Sequence, residues 1–184
     1  MKKNSKKFQI GVIGSAGTDD YLGSTGATKQ MLKQAELVGS FLAKNGATVV
    51  TGGKSGVMES AAKGAKKYKG TTIGVIKGKK RFTSNKYTDI EVISGMEADG
   101  FDEFLLVTMC DALIVIGGGA GTLEEITIAY RNNKPIIVLD GNGGWGEKLK
   151  DSYLDERNRV KIETVLTPEK AVKEAFKLAR AYAK

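Results

Sequence analysis

The sequence contains no histidine, and it has only one cysteine and two prolines among its 184 residues. Without histidine, the Ser-His-Asp and Cys-His mechanisms and the usual zinc sites are excluded. Any catalysis therefore has to use carboxylates, lysines or backbone dipoles. The lone Cys110 cannot form an internal disulfide, and it precedes a strand at a helix-to-strand junction. We predict that it is a core residue rather than a nucleophile.

The sequence also lacks long apolar runs. No stretch reaches the 18 apolar residues of a membrane-spanning helix, so no membrane span is predicted. The first residues are rich in lysine and lack the apolar segment of a secretory signal, which together with the single cysteine predicts a cytoplasmic protein. We expect residues 1–7 to form a basic, disordered tail and residues 8–184 to form one domain.

Aromatic residues are scarce, at 7% of the chain, while the net charge is +8. Beyond the first residues the lysines are scattered singly or in pairs, and no aromatic series that could stack on bases accompanies them. We therefore expect the partner to be an anionic, phosphorylated small molecule rather than a nucleic acid.

Short apolar runs alternate with segments of helical periodicity along the chain. Alternating strands and helices predict right-handed crossovers and a parallel sheet that is covered on both faces. The fold class predicted is thus α/β: a single, doubly wound, Rossmann-like domain with a mostly parallel sheet flanked by helices. Strands are predicted at residues 8–14, 47–51, 71–76, 90–93, 112–116, 135–139 and 161–166, and helices at 28–45, 57–65, 100–109, 121–132 and 168–182.

Residues 111–126 form an apolar strand that breaks into glycines and restarts as a helix. Glycines let the backbone approach a ligand closely, and the unpaired N–H groups at a helix start attract anions. This pattern predicts a phosphate site made by Gly118, Gly119, Gly121 and Thr122.

Two acids follow this loop, Glu124 and Glu125, and we place them in the first turn of the helix. There the helix dipole is expected to lower the pKa of Glu125, so that its carboxylate accepts hydrogen bonds from a sugar or activates water. The alternative is that both acids are solvated and only compensate the dipole.

Two further glycine loops follow the first and second predicted strands, at the same edge of the sheet. Ligands of such sheets bind beyond the carboxyl ends of the strands, so the three loops are expected to converge. Lys54 is either a point charge for a phosphate or a merely exposed lysine. The predicted ligand-binding residues of these two loops are Gly14, Ser15, Gly52, Gly53, Lys54, Ser55 and Gly56.

A fourth glycine-rich segment, residues 141–146, contains the single tryptophan, Trp145. It follows a predicted strand and therefore lies at the ligand edge. The indole either stacks on a base or packs against the C-terminal helices.

Residues 52–58 (Gly-Gly-Lys-Ser-Gly-Val-Met) and 118–125 (Gly-Gly-Ala-Gly-Thr-Leu-Glu-Glu) resemble the two motifs of the Lonely Guy family, long mislabelled as lysine decarboxylases. The resemblance covers residues 8–140. It implies a Rossmann-like homo-oligomer, and in an enzyme it implies cleavage of the N-glycosidic bond of nucleoside 5′-monophosphates, not lysine decarboxylation. The catalytic glutamate of the second motif corresponds to Glu125.

The sequence departs from those enzymes in two places. Their second motif begins with proline, where this chain has Gly117, and they carry an Arg-Lys pair fifteen residues earlier, where it has Asp102 and Glu103. A branch resembling the molybdenum-cofactor carrier proteins, related to DNA processing protein A, also has three glycines and binds a pterin that bears a phosphate. The chain is closer to that branch, although the two acids depart from its pattern as well.

These observations predict a cytoplasmic binding or carrier protein for a phosphorylated nucleotide-like or pterin-like ligand, such as a nucleotide or the molybdenum cofactor. No cofactor is required, and a homodimer or homotetramer is expected. The alternative is a nucleoside 5′-monophosphate phosphoribohydrolase that uses Glu125. Asp102 is a further candidate site residue: with Glu103 it either binds Mg²⁺ beside Glu125 or lies on a solvated helix face. We predict no metal site.

Overall fold

A single parallel sheet organises the computed structural model, which describes residues 7–17 and 26–182. Its seven strands lie in the order β4-β3-β2-β1-β5-β6-β7, and every neighbouring pair is parallel. The predicted doubly wound α/β fold is therefore confirmed. The strands are β1 (Gln9–Gly14), β2 (Thr48–Thr51), β3 (Thr72–Ile76), β4 (Ile90–Ile93), β5 (Ala112–Ile116), β6 (Ile136–Leu139) and β7 (Ile162–Val165). The predicted basic tail lies, apart from Lys7, outside the described residues.

The described helices cover both faces of the sheet. They are α1 (Lys29–Lys44), α2 (Val57–Lys66), α3 (Phe101–Met109), α4 (Ala120–Arg131), α5 (Gly144–Leu149) and α6 (Pro168–Tyr182). The first, second and sixth pack on one face, and the third and fourth pack on the other. None of the helices in the described part of the chain is long and apolar enough to cross a membrane.

The strand order changes direction between β1 and β5. Strands β1 to β4 follow one another outward in one direction, and β5 to β7 extend the sheet from β1 in the other. The two central strands stay in register up to their carboxyl ends, where Gly14 pairs with Ile116. In open α/β sheets a ligand crevice opens at this switch point, because the loops after the two strands diverge to opposite faces.

Local signals place the helix starts where the sequence predicts them. The Thr28 hydroxyl accepts a hydrogen bond from the Met31 N–H at 3.2 Å and caps α1. Thr167 accepts from the Lys170 N–H at 3.3 Å, and Pro168 is the first residue of α6, where its missing N–H costs nothing.

The segment that contains Trp145 differs from the prediction of a glycine-rich loop. A short helix, α5, begins at Gly144, and its first turn is tied to the third glycine loop. The backbone N–H of Trp145 donates to the Gly118 carbonyl at 2.9 Å, and the backbone N–H of Gly146 donates to the Gly117 carbonyl at 3.3 Å. A helix of six residues is too short to show a helical period, so the sequence gives no signal for α5.

Candidate functional site

The third glycine loop ends at the start of α4. Gly119 is the residue before the helix, and having no side chain it cannot cap the first N–H groups. Ala120, Gly121 and Thr122 follow, and all three line a pocket. Because these first-turn N–H groups have no acceptor within the helix, they give the pocket a partial positive charge.

Ser15 joins the three glycine loops. Its hydroxyl accepts a hydrogen bond from the Gly118 N–H at 3.0 Å, and its own N–H donates to the Ile116 carbonyl at 3.2 Å. Its carbonyl accepts from the Val57 N–H at 3.0 Å. A Cβ at Gly56, where φ is +77°, would lie only 2.5 Å from that carbonyl oxygen. Ser15 and Gly56 therefore hold the loops together and do not line the pocket.

The loops enclose a pocket of about 410 Å³ at the carboxyl ends of β1, β2 and β5. This volume falls within the range of roughly 300–1,000 Å³ that is usual for small-molecule sites. The structure thus brings the three loops together as expected. The predicted site residues that line the pocket are Gly14, Gly52, Lys54, Asp102, Gly119, Gly121, Thr122 and Glu125.

The other predicted site residues lie around the pocket. Gly53 is buried behind the second loop, Ser55 is exposed, and Gly118 is buried beneath Thr122. The Trp145 ring lies under the Lys148 ammonium, whose Nζ is 4.5 Å from the ring centroid. Neither the indole nor these three residues line the pocket.

Sequence reasoning missed the apolar walls of the pocket. Met58 from α2 and Leu106 from α3 line it, and they are only 9% and 2% exposed. Their spacing along each helix is that of core residues, so no local signal separates a pocket wall from the core. Ala16 and Ala120 complete the missed residues, together with Glu103, which the sequence places at the position of the family's Arg-Lys pair and for which it left open a metal ligand or a solvated helix face.

Lys54 is the one cation that lines the pocket within the described part of the chain. Its loop is held by the connection between β3 and β4: the Asn85 amide donates to the Lys54 carbonyl at 3.0 Å, and the Asn85 N–H donates to the Gly53 carbonyl at 2.7 Å. The carboxylate of Glu91 fixes this connection by accepting the Phe82 and Ser84 N–H groups. These contacts position the lysine at the mouth of the pocket.

Glu125 lies deeper than predicted. Because α4 begins at Ala120, Glu125 is its sixth residue and lies beyond the first turn, where the effect of the helix dipole has faded. Burial raises the pKa of Glu125 to about 8, and the nearby charges of Glu103 and Asp102 add to the rise, while Lys54 opposes it. The expected lowering of this pKa is therefore wrong, since desolvation and like charge outweigh the dipole.

Asp102 and Glu103 approach the pocket from α3. Asp102 is only 6% exposed, and its Oδ1 atom is buried without a hydrogen-bond partner. Burial raises the pKa of Asp102, and its contact with Glu103 raises it further. Glu103 Oε2 accepts a hydrogen bond from the Gly100 N–H at 3.0 Å. Its other oxygen lies 3.9 Å from where a Cβ on Gly121 would be, which puts negative charge beside one side of the α4 start.

The acids do not form a metal centre in the part of the chain that the structure covers. Across residues 7–17 and 26–182, no three aspartates, glutamates or cysteines are grouped so that they could hold a metal ion. The Mg²⁺ alternative for Asp102, Glu103 and Glu125 therefore has no support from the geometry.

Cys110 is a core residue, as predicted. It is 1% exposed, and its thiol donates to the Leu106 carbonyl at 3.1 Å. Burial raises the pKa of the Cys110 thiol, so the nucleophilic thiolate is disfavoured.

Comparison with known proteins agrees with this architecture. The model of the SLOG cluster4 family matches residues 7–172. A cytokinin riboside 5′-monophosphate phosphoribohydrolase of Mycobacterium tuberculosis is 29% identical over 147 residues, which are 75% of this chain and 76% of that protein.

Two solved structures share the fold. The molybdenum cofactor binding protein of the phototrophic bacterium Rippkaea orientalis superposes with a TM-score of 0.77 at 28% identity, covering 98% of this chain and 100% of that one. DNA processing protein A of Helicobacter pylori has a TM-score of 0.66 at 19% identity, with 92% and 80% covered, and shows likeness of fold alone.

Proposed function

The chain belongs to the SLOG cluster4 family, and from this premise we propose that it is a binding or carrier protein for a phosphorylated, nucleotide-like or pterin-like ligand. The observation that carries the proposal is the start of α4. Its first residues line the pocket, their N–H groups have no side-chain cap, and Lys54 lines the same pocket. The similar proteins point the same way, since one acts on a nucleoside monophosphate and the other binds the molybdenum cofactor.

We expect the phosphate to bind between the α4 start and Lys54, because both line the pocket and both attract an anion. Glu103 puts negative charge beside one side of that helix turn, and like charges repel. The ring system of the ligand then extends towards the apolar walls of Met58 and Leu106. This arrangement favours binding over hydrolysis, because acids occupy positions 102 and 103, where the resemblance leads us to expect cations.

Replacing Lys54 with Ala is expected to weaken the binding of ribose 5-phosphate and of nucleoside monophosphates by about 10- to 100-fold, since one charge-assisted hydrogen bond is worth about 1.5–3 kcal/mol. Isothermal calorimetry on the full chain measures it. Lys44→Ala is the matched control, because this exposed lysine lies at the carboxyl end of α1, away from the pocket. If no phosphorylated ligand, the molybdenum cofactor included, binds the wild-type protein, the proposed function is wrong.

A second candidate function is the phosphoribohydrolase activity, which the protonation of Glu125 supports. With a pKa of about 8, the acid is neutral at pH 7. It can give its proton to the departing base as the N-glycosidic bond breaks and its electron pair moves to the base nitrogen. Water then adds to the sugar carbon and gives one proton to the Glu125 carboxylate, which restores the acid and leaves ribose 5-phosphate.

This activity predicts release of free base from AMP or GMP, at a rate that is constant below about pH 8 and falls above it as Glu125 ionises. Glu125→Gln should abolish the release, and Glu124→Gln, which changes the exposed neighbour, should not. Chromatography of the products measures both. If no free base appears with any nucleoside monophosphate of a panel, the hydrolase activity is ruled out and only the binding function remains.

We propose in addition that the protein is a homodimer or homotetramer. On α3, Phe101 and Phe104 are 39% and 46% exposed, although both are large and apolar. A second copy that covers them would remove this surface from water. Sedimentation equilibrium is expected to give two or four chains per particle, and a monomeric wild type would contradict the proposal. A cytoplasmic location stays a prediction from the sequence.

A further inference from the structure

One buried acid in the pocket has no use in the fold. The Asp102 side chain is almost fully buried and lines the pocket, its Oδ1 atom has no N–H or hydroxyl donor, and the polar side chain that it contacts is another acid, Glu103. An unsatisfied, buried carboxyl oxygen costs free energy, and nearly all such atoms in proteins have a partner. The missing donor is therefore expected to come from a ligand.

The surroundings of Asp102 define the shape of that ligand. Leu106 lies one helical turn further along α3, and Met58 reaches the same pocket from α2. Two apolar side chains are suited to the faces of a flat ring, and a carboxylate is suited to its edge. A small cation would bind the Asp102 carboxylate but would not contact the apolar side chains of Met58 and Leu106.

We propose that the Asp102 carboxylate binds the paired N–H donors of a 2-amino-4-oxopyrimidine ring, the ring that guanine and pterins share. This ring presents a ring N–H and an exocyclic amine side by side, and the two oxygens of one carboxylate accept both. The inference rests on the proposed function and narrows its ligand class. A ring without these donors leaves the Asp102 carboxylate without hydrogen bonds, so the pocket should bind such a ring more weakly.

Binding of this ring is expected to release a proton. Burial and the contact with Glu103 raise the pKa of Asp102, so that this acid holds its proton more tightly in the empty pocket than a free aspartic acid does. The charged groups near Asp102 are Glu103 on the same helix, Glu125 from α4, Lys54 from the β2–α2 loop and Lys77, which follows β3. Two N–H donors stabilise the carboxylate, and the proton of the acid then passes to the buffer.

Comparing the affinities of GMP, IMP and AMP tests this inference independently of phosphate binding, because all three nucleotides carry the same ribose 5-phosphate. IMP lacks the exocyclic amine, and AMP presents a ring acceptor where GMP has its N–H. Calorimetry is expected to show IMP about tenfold and AMP about a hundredfold weaker than GMP. Titrations of GMP in buffers of different ionisation enthalpy should also report proton release.

Asp102→Asn tests the residue itself. An amide offers one donor and one acceptor, so the variant should lose most of its preference for GMP and gain affinity for AMP. Asp151→Asn, which changes an exposed acid that does not line the pocket, should keep the wild-type order. The order of the three nucleotides on the wild-type protein is a second readout that needs no variant.

The outcomes distinguish the two proposals. Equal affinities for the three nucleotides, or an unchanged preference in Asp102→Asn, would overturn the role of Asp102 and leave phosphate binding intact. Absence of binding by ribose 5-phosphate, by all three nucleotides and by the molybdenum cofactor would overturn the proposed function and this inference with it.

Discussion

Glu125→Gln is expected to raise the free energy of unfolding at pH 8 by on the order of 3 kcal/mol, although it removes a residue of the site. The pKa of Glu125 rises from its usual 4.5 to about 8 on folding. Between these values the unfolded chain releases the proton and the folded chain keeps it, so wild-type stability falls as the pH rises. Gln is a neutral side chain of the same shape and removes this dependence.

Urea unfolding at several pH values between 4 and 8 measures the effect. The difference between the variant and the wild type should be small near pH 4, where both states are protonated, and should grow up to about pH 8. Glu124→Gln serves as the control, since that residue is exposed on the same helix turn. Parallel stability curves for the wild type and Glu125→Gln would show that Glu125 is ionised in the folded protein.

The pocket therefore contains acids that the fold alone does not need. The buried Asp102 and the half-buried Glu125 both have raised pKa values, because desolvation and the nearby charge of Glu103 disfavour their ionised forms. Residues that lower stability and converge on one cleft are typical of functional sites. A ligand that donates hydrogen bonds to them would recover part of this free energy, as the inference for Asp102 requires.

The sheet and its loops could be predicted from the sequence because their signals are local. The central strands β1, β5 and β6 are short apolar runs, and β5 is buried along its whole length, so its apolar residues are continuous. Thr28 and Thr167 identify helix starts by their side chains. From the alternation of these elements, the parallel order and the convergence of three loops follow by general rules of topology.

The chemistry of the site could not be predicted in the same way, because it depends on residues that are distant in the sequence. The pKa of Glu125 is raised by desolvation and then by Glu103 and Asp102, which the packing of α3 against α4 brings near it. Likewise, a glycine-rich motif does not reveal which residues face a ligand. Gly119 lines the pocket, while Ser15 and Gly56 join the loops behind it.

Gly14→Ala is expected to lower the free energy of unfolding by about 4 kcal/mol, because two costs add at this position. The φ of Gly14 is +151°, which side-chain-bearing residues rarely adopt, and an added Cβ would lie 2.0 Å from the Ile116 carbonyl oxygen. The backbone of β5 cannot move aside without breaking its register with β1. Thermal and urea unfolding of the purified variant measure the loss.

Two control variants separate these costs. Gly46→Ala tests backbone conformation alone, since its φ is +83° and no atom lies within 4 Å of an added Cβ. Gly39→Ala, inside α1, tests contact alone, because its Cβ would lie 1.9 Å from the Ala61 carbonyl oxygen. A loss at Gly14 no larger than that at Gly46 would mean that β1 and β5 separate easily at their carboxyl ends. The crevice would then be adjustable, and Gly14→Ala should weaken ribose 5-phosphate binding with little loss of stability.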